Sequence, residues 1–345
     1  MIDIFPISFL IALFFIFFEK FQNKRGKKNL RNTPQTLHKK SISRFGGVGL
    51  FFSLMIVSFF DGGANYEFLR LALLCSLPIF ILGVLDDIAL EIQPMTRLLI
   101  VFPSAFLAYY FLGTKAYSLD IPIIDSLFNF EIFSMLFICF AIAGMTNAFN
   151  MLDGVNGNVL LYSLTVCATT LFLQKSNFDL FLNYYFVAMF FSILGVFVLN
   201  FPYGRIFLGD GGAYFLGIAL SIGIIKYYQV NNFSPWYVFA VFIYPIVDVA
   251  FSISRRIIAK VSALEPDNKH LHHLIYRKAS KAGVRSENFK HAICTIIIFT
   301  FYTPFLAAAN YVSESTPALM AISGLFILFY FCLYFLLMPK DFNLQ

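Results

Sequence analysis

Long apolar runs separated by short polar loops are the main pattern of this chain. Eleven of the runs approach the roughly 20 residues that a helix needs to cross the hydrocarbon core of a bilayer. They lie at about 4–18, 45–60, 68–85, 97–112, 132–149, 158–173, 180–199, 211–228, 236–254, 291–311 and 316–338. Because a lipid-exposed backbone must satisfy its own hydrogen bonds, such runs predict helices and exclude an open sheet. The pattern therefore predicts an all-α polytopic membrane protein with about 11 transmembrane helices.

The composition supports a membrane protein. Of the 345 residues, 59% are hydrophobic, 46 are Phe and 13% are charged, which is too little charge to cover a water-soluble domain of this length. The first apolar run has no basic region before it and no small-residue cleavage site after it, so we expect it to be retained. The five Cys lie in apolar runs without paired spacing and indicate neither a zinc site nor a disulfide framework. We expect residues 1–345 to form one integral membrane domain.

Basic residues are distributed unequally between the loops. Nine Lys and Arg follow the first run, nine follow the ninth run and three more follow other odd-numbered runs, so 21 of the 25 fall on one side. By the positive-inside rule this side is the cytoplasm, the N-terminus is outside and the C-terminus is cytoplasmic.

Four polar clusters interrupt the apolar pattern, and all of them follow odd-numbered runs. They are Asp86-Asp87, NAFNMLDGVNGN at 147–158, FLGDGGAYFLG at 207–217 and DNKHLHH at 267–273. A lipid-facing span has no reason to carry such groups. The clusters therefore predict an active or binding site on the cytoplasmic face.

Three aspartates in these clusters are candidate ligands of a hard cation. Asp86 and Asp87 repel each other near an apolar boundary unless a cation or a proton donor compensates them. Asp210 lies among glycines that allow a substrate to approach closely, and its carboxylate suits Mg²⁺. The alternatives are a solvated loop at 86–87 and a helix N-cap at Asp210.

The amide-rich stretch places Asn147, Asn150 and Asp153 at intervals of three, so that they share one face if the helix continues. Gly154 and Gly157 then release the backbone. Amides beside a carboxylate can hold a sugar, a nucleoside or a metal-bound phosphate. The alternative is that these side chains cap a helix end and satisfy its carbonyl groups.

Imidazole and basic side chains in two further loops are candidate ligands of anions. The run from His270 to His273 contains three of the five His without a Cys partner, so diphosphate or sugar oxygens suit it better than zinc does. A solvated basic loop is the alternative. The first loop carries basic residues that either bind lipid head groups or steer an anionic lipid substrate: Lys39, Lys40 and Arg44.

Taken together, the clusters predict phosphoryl transfer between a soluble anion and a lipid, because they combine carboxylates, amides and basic groups on one face. The rival hypothesis is a permease or flippase that binds an anionic solute at its cytoplasmic face. A transporter needs polar groups or broken helices near the middle of the membrane, whereas the runs here are mostly apolar in their middles.

Four ordered motifs resemble those of a known family. GVLDD (83–87), NAFNMLDGVNGN (147–158), FLGDGGAYFLG (207–217) and HLHH (270–273) resemble the polyprenyl-phosphate N-acetylhexosamine-1-phosphate transferases, glycosyltransferase family 4. HKKSISRFGG (38–47) is similar to the first-loop pattern of that family. The resemblance covers about residues 35–280.

The resemblance implies transfer of a sugar 1-phosphate from a UDP-sugar to undecaprenyl phosphate, with release of UMP and a need for Mg²⁺ or Mn²⁺. It implies a place in the bacterial inner membrane, contact with membrane lipid and no nucleic-acid partner; a homodimer, as found among related proteins, is compatible with the apolar helix faces. Asp86 and Asp87 would be catalytic and Asp210 would bind the metal. The implied substrate ligands are Lys39, Lys40, Arg44, Asn147, Asn150, Asp153, Asn156, His270, His272 and His273.

Two positions depart from the family pattern. Leu90, followed by Glu91, stands where the family often has a third acid, and Asn156 stands where GlcNAc-type enzymes often have a second Asp. An amide supplies no charge, so the metal is expected to depend on Asp210 and the paired acids. The GVNG form resembles the branch that initiates O-antigen or other surface glycans.

Overall fold

The computed structural model describes residues 4–24, 42–60, 63–88, 92–172, 179–262 and 267–338. Within these ranges the regular structure is helical and contains no strand, which confirms the all-α prediction. The α-helices are α1 Ile4–Lys24, α2 Gly46–Phe60, α3 Glu67–Asp87, α4 Pro94–Leu112, α5 Pro122–Asp125, α6 Glu131–Leu152, α7 Asn158–Phe172, α8 Leu180–Asn200, α9 Gly209–Asn231, α10 Trp236–Val241, α11 Ile243–Ile258, α12 Leu271–Lys281, α13 Glu287–Tyr311 and α14 Thr316–Leu337. Short 3-10 helices lie at Ala64–Tyr66 and Ser126–Asn129.

Every predicted apolar run forms a helix or a pair of helices. Among the described residues, eight helices are long and apolar enough to cross a membrane, namely α1, α3, α4, α6, α8, α9, α13 and α14. Helices α2 and α7 are apolar but shorter. The protein is therefore a multi-pass membrane protein, while the count of 11 spans and the orientation stay predictions.

The ninth run is broken, unlike the single span predicted from its apolar sequence. It forms α10 and α11, which meet at Phe242. Pro245 explains the break, because its ring lacks an N–H and collides with the carbonyl group four residues earlier, that of Val241. This carbonyl instead accepts hydrogen bonds from the hydroxyls of Tyr162 (2.8 Å) and Tyr302 (2.5 Å). The break is thus fixed by two buried side chains.

Helix α9 lies at the centre of the bundle and packs against α2, α3 and α6. Its approach to α3 is close because glycines face each other: a Cβ atom added at Gly83 would lie 2.5 Å from the Cα atom of Gly211. Small residues of this kind allow helix backbones to touch inside a membrane. The contact lies next to Asp86 and Asp87 on α3 and next to Asp210 on α9, so helix packing sets the distances within the predicted site.

We expect Gly83→Ala to destabilise the protein by about 1–3 kcal/mol, because a methyl group at this contact forces the two backbones apart. Thermal unfolding in detergent measures the effect. Gly144→Ala is the matched control: Gly144 lies in α6, and a Cβ atom there meets nothing within 4 Å. If both variants melt alike, the close α3–α9 contact is not important for stability.

A cluster of serines joins the first two helices to α8. The hydroxyl of Ser8 donates to the carbonyl of Ser192 at 2.8 Å, and the hydroxyls of Ser53 and Ser192 lie 2.8 Å apart. Ser53 also donates to the carbonyl of Leu50 within its own helix. Side-chain hydrogen bonds of this type hold helices together where no water is available.

Candidate active site

Three carboxylates and two arginines meet at one end of the bundle. Asp86 and Asp87 end α3, while Asp210 lies in the first turn of α9. Arg44, just before α2, bridges two of the acids: its Nε lies 2.9 Å from Asp87 Oδ1 and its Nη2 lies 2.9 Å from Asp210 Oδ1. The sequence required a cation or a proton donor beside the paired acids but did not identify it. In this structure it is an arginine.

Arg97 of α4 supplies the second positive charge. Its Nη1 lies 3.1 Å from Asp86 Oδ2 and 3.9 Å from Asp210 Oδ2, and its Nε donates to the carbonyl of Ile92 at 3.0 Å. From the sequence, Arg97 is one of the three further basic residues that indicate the orientation. Its place at the start of an apolar run, on the same side as the acids, was the available signal.

Asp87 also caps a helix that lies far away in the sequence. Its Oδ1 accepts the backbone N–H of Asp210 and its Oδ2 accepts that of Gly211, both at 3.0 Å. These N–H groups open α9, where a negative charge is favourable. The alternative interpretation of Asp210 as an N-cap is wrong, because α9 begins at Gly209 and the capping carboxylate comes from α3.

The amide-rich stretch adjoins this cluster. Helix α6 ends at Leu152, so Asn147 and Asn150 are helical while Asp153 lies just beyond the helix. Asn150 Nδ2 donates to the hydroxyl of Tyr214 at 3.0 Å, which links α6 to α9. Burial, aided by the charges of Asp210 and Asp87, raises the pKa of Asp153 well above its ordinary value, although Arg44 opposes this shift.

Two of the amides bond the local backbone, one inside α6 and one at its end, and the second agrees with the capping alternative. Asn147 Nδ2 donates to the carbonyl of Ala143 at 2.9 Å, and Asn158 Nδ2 donates to that of Leu152 at 3.0 Å. Asn156 is buried, and its Nδ2 donates to the carbonyl of Pro202 at 3.3 Å. Substrate contact by Asn147 and Asn156 stays a prediction.

The histidine run packs against the same loop. His272 rests on Gly154, where a Cβ atom would lie 2.4 Å from its Nε2. All three imidazoles are buried, and the ring nitrogens of His272 and His273 have no hydrogen-bond partner in the described part of the chain. His270 differs, because its Nδ1 lies 2.7 Å from Asp248 Oδ2. Lys39 and Lys40 lie outside the described residues, and their role stays a prediction.

His272 and His273 should make the free energy of unfolding decrease as the pH is lowered below 6.5. Burial lowers the pKa of His273 to about 4 and that of His272 well below 6.5. Below pH 6.5 these imidazoles are protonated in the unfolded chain but stay neutral in the folded protein. Each group therefore lowers the free energy of unfolding by about 1.4 kcal/mol per pH unit until the pH reaches its folded-state pKa. We expect thermal stability in detergent to fall more steeply from pH 6.5 to pH 4 in the wild type than in His273→Gln.

Other groups set the background for this comparison. Burial lowers the pKa of His270, but Asp248 and Asp267 outweigh burial and raise it above its ordinary value, so its contribution to stability has the opposite sign. The raised pKa of Asp153 also favours the folded state on acidification. Both groups are present in the wild type and in the variant. Parallel curves for the two proteins would contradict the assignment of a neutral buried His273.

The donor chemistry of the acid cluster fits a hard divalent cation. Asp86, Asp87 and Asp210 offer only oxygen atoms, which suit Mg²⁺ or Mn²⁺. Within the described ranges, however, no three His, Cys, Asp or Glu side chains form a ready metal site. Such an incomplete set is typical of Mg²⁺, which is often held by one or two carboxylates together with substrate phosphates.

Comparisons with known proteins agree with this geometry. Residues 69–228, which contain Asp86, Asp87, Asp153 and Asp210, match the profile described as Glycosyl transferase family 4. The chain is 28% identical over 244 residues to undecaprenyl-phosphate alpha-N-acetylglucosaminyl 1-phosphate transferase of Thermotoga maritima, covering 71% of each chain. It is 26% identical over 332 residues to the protein of that name from Escherichia coli K12, covering 90% of this chain and 83% of the relative.

A second type of relative is also similar. The phospho-N-acetylmuramoyl-pentapeptide-transferase of Clostridium perfringens strain 13 is 32% identical over 216 residues, which cover 58% of this chain and 66% of the relative. All three relatives are sugar-phosphate transferases by name, and the matched region holds the carboxylates of the cluster. This chain belongs to glycosyl transferase family 4, among the polyprenyl-phosphate hexosamine-1-phosphate transferases.

Proposed function

We propose that this protein transfers an N-acetylhexosamine 1-phosphate from a UDP-sugar to undecaprenyl phosphate and releases UMP. The observation that carries the proposal is the cluster of Asp86, Asp87 and Asp210 with Arg44 and Arg97 between them. Guanidinium groups match phosphate oxygens, and carboxylates can hold a divalent cation or take a proton. The reaction would take place at the cytoplasmic face of the bacterial inner membrane and initiate a lipid-linked surface glycan, such as O-antigen.

The lipid phosphate needs little activation. A phosphate monoester has its second pKa near about 6, so it is largely ionised at neutral pH. Its oxygen attacks the β-phosphorus of the UDP-sugar, the phosphorus bonded to the sugar, and UMP leaves. Asp87 positions the lipid phosphate or takes its last proton. Arg44 and Arg97 exchange their carboxylate partners for phosphate oxygens when the substrates bind. Mg²⁺ or Mn²⁺ held by Asp210 and the paired acids would neutralise the diphosphate charge.

Other predicted ligands in the described part of the chain lie near the acid cluster. Asn150 and Asp153 lie beside the acid cluster and are suited to the nucleotide or the sugar. His272 and His273 favour the neutral state at pH 7, so each can donate a single hydrogen bond to a sugar or phosphate oxygen.

The test is UMP release by detergent-purified protein from a panel of UDP-N-acetylhexosamines, with undecaprenyl phosphate and with or without Mg²⁺. We expect release that requires both the lipid and the metal and that Asp210→Asn abolishes. Asp179→Asn is the matched control, because Asp179 caps α8 by accepting the N–H groups of Phe181 and Leu182. Lipid-dependent release in detergent, where there are no compartments, would also exclude a permease or flippase.

A second experiment separates two mechanisms. In a two-step route one of the paired acids would attack first and form an aspartyl-phosphate. Incubation with UDP-sugar labelled at the β-phosphorus and without lipid should trap no phospho-enzyme if attack is direct, and Asp86→Asn should then keep measurable activity. A wild-type protein that becomes labelled, together with an Asp86→Asn or Asp87→Asn variant that does not, would instead establish the two-step route.

A further inference from the structure

A buried carboxylate outside the acid cluster holds the start of the histidine run. Asp248 of α11 is 1% exposed and accepts three hydrogen bonds. Its Oδ2 lies 2.7 Å from His270 Nδ1, while its Oδ1 accepts the backbone N–H of Leu271 at 3.1 Å and the hydroxyl of Tyr330 at 2.7 Å. A buried carboxylate with three partners holds each of them in a fixed geometry.

The last helix, α14, fixes this segment at two points. Besides Tyr330, the hydroxyl of Tyr334 donates to the carbonyl of Lys269 at 2.8 Å. Both tyrosine rings pack edge-on against Phe251 of α11, with centroids 6.5 Å and 4.8 Å from it. Helix α14 lies outside the family-matched region 69–228. It holds the histidine segment directly through the bond of Tyr334 to Lys269 and indirectly through the bond of Tyr330 to Asp248.

His270 faces an acid on each ring nitrogen. Asp248 faces Nδ1, and Asp267 Oδ2 lies 3.8 Å from Nε2. Asp267 is itself held by Arg255 at 2.5 Å and by the hydroxyl of Ser252. Further charged or titratable groups near the ring or near Asp267 are Arg255, Arg256, His272 and His273. Two flanking acids favour the doubly protonated ring and fix its orientation.

The position of His270 is coupled to the candidate site through the two residues that follow it in the chain. His272 follows two residues later and rests on Gly154, directly after Asp153. Asp153 lies within the electrostatic reach of Arg44, which bridges Asp87 and Asp210. A shift of the His270 peptide would therefore move the imidazole that supports the loop carrying Asp153.

We propose that Asp248 and Tyr330 are positioning residues, which hold His270 and thereby fix the His272 ring against Gly154 at the edge of the active site. The catalytic consequence rests on the proposed transferase function, whereas the state of the His270 ring does not. Neither residue touches the acid cluster, so both act through the histidine segment.

The first measurement is the ¹⁵N side-chain NMR spectrum of histidine-labelled protein in detergent at pH 7.5. We expect one of the five imidazoles to be protonated on both nitrogens, and this signal to be lost in His270→Gln, which assigns it. Asp248→Asn should convert the ring to a neutral form. Tyr330→Phe should shift the signal and should keep the fold, since it removes only a hydroxyl. Tyr237→Phe is the matched control, because its buried hydroxyl bonds Asn310, away from this segment.

The second measurement is the kinetics of UMP release. We expect kcat to fall by about tenfold or more in Asp248→Asn and by a smaller factor in Tyr330→Phe, with little change in the KM for the UDP-sugar, as for other residues that orient a functional histidine. Tyr237→Phe should leave kcat unchanged. A pH–rate profile that shifts in Asp248→Asn and not in Tyr237→Phe would separate positioning from a general loss of stability.

Two results would overturn the proposal. One is a His270 ring that is neutral in the wild type or unaltered by Asp248→Asn and by Tyr330→Phe. The other is wild-type kcat in a folded Tyr330→Phe protein whose His270 signal has shifted. If the wild type releases UMP from no donor, the proposed function fails, and the nitrogen spectra alone then decide whether Asp248 and Tyr330 hold His270.

Discussion

Asp87→Asn is expected to lower UMP release by about a thousandfold, because one substitution removes a proton acceptor, a partner of Arg44 and a helix cap. The carboxylate is 2% exposed, lies 2.9 Å from Arg44 Nε and accepts the N–H groups of Asp210 and Gly211. Asparagine has a single acceptor oxygen, so one N–H group of α9 loses its partner at a cost of about 1–3 kcal/mol. Initial rates with undecaprenyl phosphate and thermal unfolding in detergent measure the two effects.

Asp179→Asn is again the appropriate control, since it changes a carboxylate that caps the first turn of α8 and asparagine is itself a good cap. It should leave both the rate and the melting temperature close to those of the wild type. An Asp87→Asn protein that keeps more than about a tenth of the wild-type rate would remove Asp87 from the chemical step, since general acid–base groups contribute about a hundredfold or more.

Arg44→Gln is expected to have the second-largest effect, a loss of about a hundredfold to a thousandfold in kcat, the range found when a charge-stabilising donor is removed. Arg44 bridges Asp87 and Asp210, and these acids raise the pKa of Arg44 although burial opposes the shift. Its loss removes the cation that lies 2.9 Å from Asp87 and leaves Asp210 with the more distant Arg97, 3.9 Å away. We expect the protein to lose about 1–3 kcal/mol of stability, less than for a fully buried pair, because the Arg44 side chain is 32% exposed.

Arg44→Lys sharpens this experiment, because lysine keeps the charge but cannot bridge two carboxylates with a planar fork. We expect an activity between those of the wild type and Arg44→Gln. Lys115→Gln is the control for loss of a cation: its partner Glu131 is 74% exposed, and surface pairs of this kind contribute about 0–1 kcal/mol. Equal activities of Arg44→Gln and Arg44→Lys would show that the charge of Arg44 is unimportant.

The sequence predicted the helices well, because a membrane imposes one simple requirement on a long apolar run. It missed the break at Phe242, although Pro245 signalled it, since apolar residues on both sides continue the run. Broken helices are a feature of transporters, and the ninth run, predicted as a single span, is broken at Phe242. The carbonyl of Val241 at this break accepts hydrogen bonds from Tyr162 and Tyr302, so it does not require a transported solute as a hydrogen-bond donor.

The candidate site was predictable where polar residues interrupt apolar runs. Asp86, Asp87 and Asp210 were found for this reason, and helix packing brings them together with Arg44. The compensating charges and the capping of α9 by Asp87 depend on distances between helices, which no local pattern contains. Asp248 is a carboxylate in an apolar run, but its partner Tyr330 lies in α14, where a tyrosine is an ordinary membrane residue.

The serine cluster bears on how the chain is inserted into the membrane. Ser8 and Ser53 belong to helices that leave the ribosome early, whereas Ser192, which completes their hydrogen bonds, belongs to α8. Before α8 enters the membrane, the hydroxyl of Ser53 already donates to the carbonyl of Leu50 in its own helix. The hydrogen bond from Ser8 to Ser192 forms only after α8 has entered. Helix α1 packs against α2 as well as against α8, so its contacts can begin with α2 and are completed only by the entry of α8.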